Sequence, residues 1–299
     1  MIRNYRELFD CVRQGRRRTL AIPSAEGESI VEACGEAARE GICDSILIGA
    51  AAKINGYLNK LGIAETGVRV LDEPDPEKAV AVAVAMVRRG EAEMLMKGKT
   101  DTKVLMKAVL DGETGLRTGR VLSHVAVIEM ASWPKLMIHT DGGLNIRPDA
   151  EKRMDIIRNA VEVAGKLGVA RPNVALLSAM EGVDPKREET LDYERILKTQ
   201  AESPFTEAVI EGPMAMDVAL SAESARIKGV LSHIAGDTDI FVTPDIASAN
   251  IAVKSLIYLA GAKVGGLVVG ASAPIVLLSR ADDSGTKLRS IALGALWGN

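Results

Sequence analysis

Aromatic side chains are scarce in this chain: three Phe, four Tyr and two Trp make up 3% of its 299 residues. So poor a supply of rings argues against binding nucleic acid by base stacking. Charge of one sign is lacking too. With 37 Lys and Arg against 40 Asp and Glu, the formal net charge is −3. No global basic field exists to collect nucleic acid or an anionic membrane surface, so any anion site must be local. Cysteine is limited to Cys11, Cys34 and Cys43, an odd number without C-x-x-C spacing, which fits free thiols in a reducing compartment. No apolar run reaches the roughly 18 residues of a membrane span, and the first residues lack a hydrophobic signal core. The expectation is a cytoplasmic protein.

Several chemistries are excluded by what their motifs need. His124, His139 and His233 show no metal-ligand spacing, and no carboxylate pair is spaced to trap a metal. Each histidine is expected to be structural. Ser279 stands in Leu277-x-Ser279-x-Ala281 rather than in a G-x-S-x-G elbow, which disfavours a hydrolase nucleophile. No G-x-G-x-x-G follows a strand, so a dinucleotide site has no support. Lys97-Gly98-Lys99-Thr100 resembles a phosphate loop, but the glycine that a Walker A loop needs upstream is replaced by Glu93. Met86, Met94, Met96 and Met106 read as core filler.

What the chain has in quantity is small aliphatic residues. Hydrophobic residues make up 47% and glycine counts 28, which points to an Ala, Val, Ile and Leu core packed against helices. Tyr5, Leu8, Phe9 and Val12 recur at helical spacing. After the basic turn Gly15-Arg16-Arg17-Arg18, strands expected over 19–23, 44–48, 68–71 and 93–96 alternate with helices over 28–39, 50–61 and 76–89. A helix carries Val104, Leu105, Ala108 and Val109, apolar segments follow at 121–129 and 134–139, and a long helix covers 150–167. Strands over 173–177, 208–211 and 239–242 then alternate with helices near 191–200, from 214, and over 247–260. Such alternation predicts α/β architecture with doubly wound parallel sheets, and the length allows two domains.

Open α/β sheets bind ligands at the carboxyl ends of their strands. Several polar stretches fall there. Lys97, Lys99 and Lys103 flank a helix start and suit a single anion, or form an ordinary lysine-rich exposed turn. Thr140-Asp141-Gly142-Gly143-Leu144-Asn145 is a tight turn of the sort that approaches ligands closely, or a plain turn. Glu211-Gly212-Pro213 and Thr243-Pro244-Asp245 also place turn-forming residues at strand ends. Near the chain's end, two apolar β-segments beginning at Gly265-Gly266 stop abruptly at Ser279-Arg280, ahead of Asp282-Asp283-Ser284-Gly285.

Taken as a set, the C-terminal motifs resemble a known family. Glu211-Gly212-Pro213 with Asp217, Pro244-Asp245-Ile246 with Asn250, Ala273-Pro274-Ile275-Val276, and Leu278-Ser279-Arg280-Ala281-Asp282 look like the phosphate acyltransferases, the phosphate acetyl- and butyryltransferases. Lys97-Gly98, Thr140-Asp141 through Asn145, and Pro148 match as well. The resemblance implies an isocitrate/isopropylmalate dehydrogenase-like fold of two α/β domains with a cleft between them. The first domain, 1–138, is completed by 270–299, and the second is 139–269. It implies reversible transfer of a short acyl group between coenzyme A and inorganic phosphate, with no metal or redox cofactor, in a homodimer or higher homo-oligomer that binds neither nucleic acid nor membrane.

That reaction needs cations and donors where an oxyanion develops and phosphate leaves. The resemblance places Ser279 and Arg280 there, with Lys97, Thr140, Asp141, Asn145, Asp245 and Asn250 as binding positions. A base is also wanted, since a thiol of pKa about 8.5 is mostly protonated at neutral pH. The acetyl-transferring branch has an aspartate seven residues after the serine, where this chain has Thr286. Asp282 and its neighbour Asp283 are the substitutes, against the alternative that both merely face a helix dipole. Lys107 stands near an arginine that binds phosphate in the acetyltransferases, and Arg120 is an alternative phosphate ligand. Both departures resemble the butyryltransferase branch, so butyryl or branched substrates are expected ahead of acetyl. Two other readings remain: a non-catalytic binder of coenzyme A or phosphate, and a metal-dependent hydroxy-acid dehydrogenase of the same fold.

Overall fold

The computed structural model describes residues 1–63, 66–278 and 282–298. The chain divides into two compact α/β units, one of Tyr5–Arg120 with Val264–Asn299, the other of Met1–Asn4 with Val121–Lys263. The sequence places the crossings near 139 and 270, and the structure moves both upstream. Residues 121–138 stay with the second unit because β5 (Ser123–Glu129) and β6 (Met137–Thr140) pair antiparallel, Val125 opposite Thr140 and Ile128 opposite Met137. A hairpin is difficult to divide between two cores.

The first unit begins with α1 (Tyr5–Gln14), which buries Tyr5, Leu8 and Val12, three of the four residues whose spacing predicts it. There follow β1 (Arg18–Pro23), α2 (Glu28–Arg39), β2 (Cys43–Gly49), α3 (Ala51–Leu61), β3 (Val68–Asp72), α4 (Pro76–Arg88), β4 (Met94–Met96) and α5 (Thr102–Val109). Helix α4 starts where sequence rules put it: Asp75 caps it by accepting from the Glu77 and Lys78 amides, and Pro76 needs no hydrogen bond at the first position.

Beyond β5 and β6, the second unit holds α6 (Ala150–Lys166), β7 (Asn173–Leu177), α7 (Glu188–Glu202), β8 (Val209–Met214), α8 (Met216–Leu220), α9 (Ala222–Lys228), β9 (Ile240–Val242) and α10 (Ile246–Ala260). The chain then returns to the first unit through β10 (Lys263–Val269), β11 (Ile275–Val276) and α11 (Ser284–Ala295).

In the first unit the strands lie in the order β3-β2-β1-β4-β11-β10, and in the second β5-β6-β9-β7-β8. Most neighbours are parallel, as the alternation of elements predicts. The exceptions are β10 with β11 and β5 with β6, both antiparallel. In each, consecutive strands follow one another without an intervening helix, and that connection permits only an antiparallel pair. Strands β1, β2, β4 and β7 are buried almost throughout, as expected of strands in the interior of a parallel sheet.

Two local expectations are corrected. Glu211-Gly212-Pro213 is not a turn after a strand but lies inside β8, and the next helix begins at Met216, not 214. Proline survives there because β8 is an edge strand, and the pairing slips between Ala175 and Leu177 to absorb Gly212 at φ 143°. The strand expected over 134–139 starts only at Met137, after a turn through Trp133 and Pro134.

Candidate functional site

In the first unit the polar strand ends meet around Gly98. Strand β4 ends at Met96, and the Lys97 amide donates to the Val276 carbonyl on β11 at 3.0 Å. Gly98 passes so close to the end of β1 that a Cβ there would stand 2.1 Å from the Pro23 carbonyl oxygen and 2.4 Å from that of Ser24. Only glycine fits. The Lys99 amide locks the crossing by donating to Ser24 O at 2.7 Å, and Ser24 takes a left-handed φ of 51°.

The anion site expected at the start of α5 is not built as predicted. Asp101 caps that helix, accepting from the Lys103 amide at 2.7 Å, so a carboxylate already occupies the positive end. The helix start that faces the lysines is instead that of α2. Its cap is Gly27, which has no side chain to offer, and the Lys99 Cε lies 3.4 Å from where a Cβ on Gly27 would be. A cavity of about 760 Å³ opens there, lined by Gly27, Glu28, Ser29, Tyr57, Lys97, Lys99, Leu278 and Lys287 among others.

Ser279 and Arg280 lie outside the described residues. The described chain ends on the wall of this cavity at Leu278 and resumes at the half-buried Asp282. Asp283 caps α11, its carboxylate accepting from the Thr286 amide at 2.6 Å. That bond and the Thr286 side chain hold the Asp283 carboxyl below its usual range, with Arg289 and Lys287 adding charge. A carboxylate so stabilised is a weak base. Thr286 is buried, and its hydroxyl accepts from the Arg289 guanidinium at 3.0 Å.

Lys287 was not singled out by sequence reasoning. It is 5% exposed and lines the cavity, its ammonium donating to the Asp282 and Asp283 carbonyl oxygens. Burial lowers its pKa, against the opposing charges of Asp282, Asp283 and Glu32. Its signal in the sequence was a cation in the first turn of α11, where the helix dipole disfavours one. Lys107 is exposed on α5 and Arg120 is exposed near the chain's crossing, and neither lines this cavity.

The second unit gathers the other predicted positions at the ends of adjacent strands β6 and β9. Asp141 is the hub of the Thr140–Asn145 turn. One carboxylate oxygen accepts from the Gly143 and Leu144 amides, the other from the Asn145 amide and side chain. Asn145 also donates to Leu122 O, and the fully buried Thr140 donates its hydroxyl to His124 O at 2.9 Å. Asp245 caps α10 through the Ser248 amide. Burial raises the Asp245 pKa, but the Ser248 and Ala247 donors and Arg147 outweigh it and hold the carboxyl below its usual range. Asn250 reaches back to Gly142 O at 3.5 Å. These five residues are brought together, with much of their hydrogen-bonding capacity committed to the turn itself.

Arg153, which sequence reasoning missed, holds that cluster from beneath. Its guanidinium is 1% exposed, donates to the Thr243, Pro244 and Pro148 carbonyls, and lies 5.1 Å over the Tyr193 ring. Beside it a cleft of about 430 Å³ carries Arg147, Lys186, Arg187 and Arg195 interleaved with Asp149, Glu188, Glu189 and Asp192. The histidines are structural in part as expected: His139 is buried on β6 and stacks on Phe241 at 4.8 Å and 7°. Among the described residues no group of three or more His, Cys, Asp and Glu could hold a metal ion. No helix among them is long and apolar enough to cross a membrane.

Comparison with known proteins places these features in context. A sequence profile described as Phosphate acetyl/butaryl transferase matches residues 74–295. Over 296 residues, 99% of this chain and 98% of the relative, the chain is 39% identical to a phosphate butyryltransferase of Clostridium acetobutylicum. It is 38% identical over 284 residues to a phosphate acetyltransferase of Thermotoga maritima, covering 95% of this chain and 96% of the relative. The crystal structure of a branched-chain phosphotransacylase from Enterococcus faecalis superposes with a TM-score of 0.82 at 32% identity, over 93% of this chain and 98% of that one.

Proposed function

Since the chain belongs to the phosphate acetyl/butyryl transferase family, we propose that it catalyses reversible transfer of a short acyl group between coenzyme A and inorganic phosphate. The observation that carries this reading is identity sustained over nearly the whole chain to relatives that bear that name. In the direction of thioester synthesis, the thiolate sulfur attacks the acyl phosphate carbonyl, a C–S bond forms, the bond between the acyl carbon and the bridging oxygen breaks, and phosphate leaves with that oxygen and the electron pair. Chemistry of this kind needs no electron transfer, and the two substrates supply every reacting atom.

The residues are assigned by what the steps require. Arg280 binds the phosphate through its two-pronged guanidinium, and Ser279 donates to the oxyanion or the leaving oxygen. Asp282 takes the thiol proton, the neighbouring Asp283 being occupied at the α11 cap. Lys97 supplies positive charge, with Lys107 or Arg120 at the phosphate. The turn built on Thr140, Asp141 and Asn145, with Asp245 and Asn250 beside it, shapes the substrate surface of the second unit.

Butyryl or branched acyl groups are favoured over acetyl. Thr286 and Lys107 depart from the acetyl-transferring pattern, and relatives named for butyryl and branched-chain transfer support the same choice. A homo-oligomer is proposed as well: α10 buries only Ala249 and leaves Ile251, Tyr258 and Leu259 largely exposed. Three free cysteines fit a cytoplasmic setting.

The test mixes purified protein with butyryl-CoA, phosphate and a thiol reagent. Free thiol is expected only when phosphate is present. Release without phosphate would indicate a thioesterase, and no release with acetyl, butyryl or isobutyryl chains would leave a binding protein.

A further inference from the structure

Helix α11 starts two residues after Asp282, and a side chain from its own second turn holds that start in place. We propose that Arg289 is a positioning residue for the reacting segment: it pins the first turn of α11, and with it Asp282 and the preceding Ser279 and Arg280, to the beginning of β10. The proposal rests on the acyltransfer reading and gives Arg289 no contact with substrate.

The first turn is weakly held by packing. Asp283 is exposed, Ser284 and Gly285 are half-buried, and the first buried apolar side chain is Leu288. Gly285 is moreover a poor helix former. Farther along, the helix is fastened to β10 without help from Arg289. The Ser290 hydroxyl accepts from the Gly266 amide at 2.9 Å and donates to Thr286 O at 2.8 Å. Gly265 passes so close that a Cβ there would stand 3.1 Å from the Arg289 carbonyl carbon. The body of α11 is thus fixed, and its end at the site is what needs a tie.

Arg289 supplies it. Helical side chains lean towards the N-terminus, and this one reaches back a full turn. Its Nε donates to the Val264 carbonyl at 2.8 Å, while Nη2 donates to the Thr286 hydroxyl at 3.0 Å and lies 3.9 Å from the Asp283 carboxylate. The guanidinium also lies 5.6 Å over the ring of the buried Tyr5. Tyr5 and Val264 are residues at which the chain enters this unit, so the tie is anchored on two entry points. A planar fork can serve a strand carbonyl and a helix hydroxyl together, which one ammonium cannot. Gly285 makes the room: a Cβ there would stand 3.2 Å from the guanidinium Nη1.

The experiment measures steady-state kinetics of purified full-length wild-type protein and of Arg289→Met, Arg289→Lys and Gly285→Ala, with amide hydrogen exchange over α11. Arg289→Met should lower kcat roughly tenfold, since a small misplacement of reacting groups slows a reaction steeply, while KM for butyryl-CoA and for phosphate change less than about twofold. Exchange should quicken in the first turn and stay unchanged beyond Ser290. Lysine should recover little of kcat, whereas methylguanidinium added to Arg289→Ala should restore much of it and methylammonium should not. Gly285→Ala crowds the guanidinium but keeps every donor, so it should lower kcat in the same sense, and it decides the matter if Arg289→Met does not fold. Wild-type kcat in Arg289→Met or, failing that, in Gly285→Ala would overturn the proposal. So would a change confined to KM, which would make Arg289 part of the substrate surface, or exchange that quickens along the whole helix. Full recovery by lysine would do the same. If the wild-type protein transfers no acyl group, the reading of the reaction falls, and exchange in the first turn still decides whether Arg289 pins α11.

Discussion

Gly98 and Ser24 cross with no room for a side chain between them: a Cβ on Gly98 would lie 2.4 Å from the Ser24 carbonyl oxygen. That crossing joins the ends of β4 and β1 and aims Lys97 and Lys99 at the cavity. Gly98→Ala must push the two strand ends apart. The expected cost is about 3 kcal/mol, at the upper end for an overpacked site, read as a lower urea midpoint with unchanged m-value. The KM for acyl-CoA should rise as well. A variant of wild-type stability would mean that the crossing yields easily.

Arg153 supports the other cluster through three backbone carbonyls that only a wide, flat cation can reach together. Arg153→Met keeps much of the volume and removes the donors, leaving buried oxygens without partners. A loss of about 3 kcal/mol is expected, and Arg153→Lys should recover less than half of it, because one ammonium cannot span the same acceptors. Full recovery by lysine in thermal melts would show that charge alone, and not the planar fork, is what matters.

Burial pushes the His139 imidazole down to about 4. Above pH ~6.5 it is neutral in folded and unfolded chains alike. As pH falls from 6.5 towards 4 the unfolded chain takes up a proton that the folded one refuses, so stability declines across that window and the decline levels off below it. The slope approaches ~1.4 kcal/mol per pH unit, about 3 kcal/mol in all. His139→Leu should flatten this part of the curve whatever its effect at pH 7. Denaturant titrations at pH 7, 6 and 5 decide the matter, and equal slopes in both proteins would contradict it.

Ser279→Ala and Arg280→Ala are each expected to lower kcat by roughly 10²- to 10³-fold, the usual loss when a donor to a developing oxyanion is removed. Asp282→Asn should lower kcat and move the pH profile. Asp283→Ala should instead cost about 1 kcal/mol of stability through loss of the α11 cap. Wild-type turnover in both serine and arginine variants would remove their assigned roles, and the reverse pattern for the two aspartates would exchange theirs.

The residues alone determined the alternation of elements, because helix and strand periods and the stops at Gly, Pro and Asp are local properties. Helix α2 begins and ends where its pattern predicts, and α4 is marked by its own Asp-Pro start. The order and spacing of the C-terminal motifs likewise carried the family. Tertiary structure decided matters that depend on contacts distant in sequence. It showed that Asp101 caps the helix start beside which the sequence places Lys97 and Lys99, and that Gly27, some seventy residues earlier, begins a helix with no side-chain cap. Lys287 and Arg153 joined the sites only on folding, since nothing in the sequence near a buried cation names the carbonyl oxygens that will surround it. A motif records which groups a site needs, whereas which of them face a common cavity is set by how strands pair and helices pack.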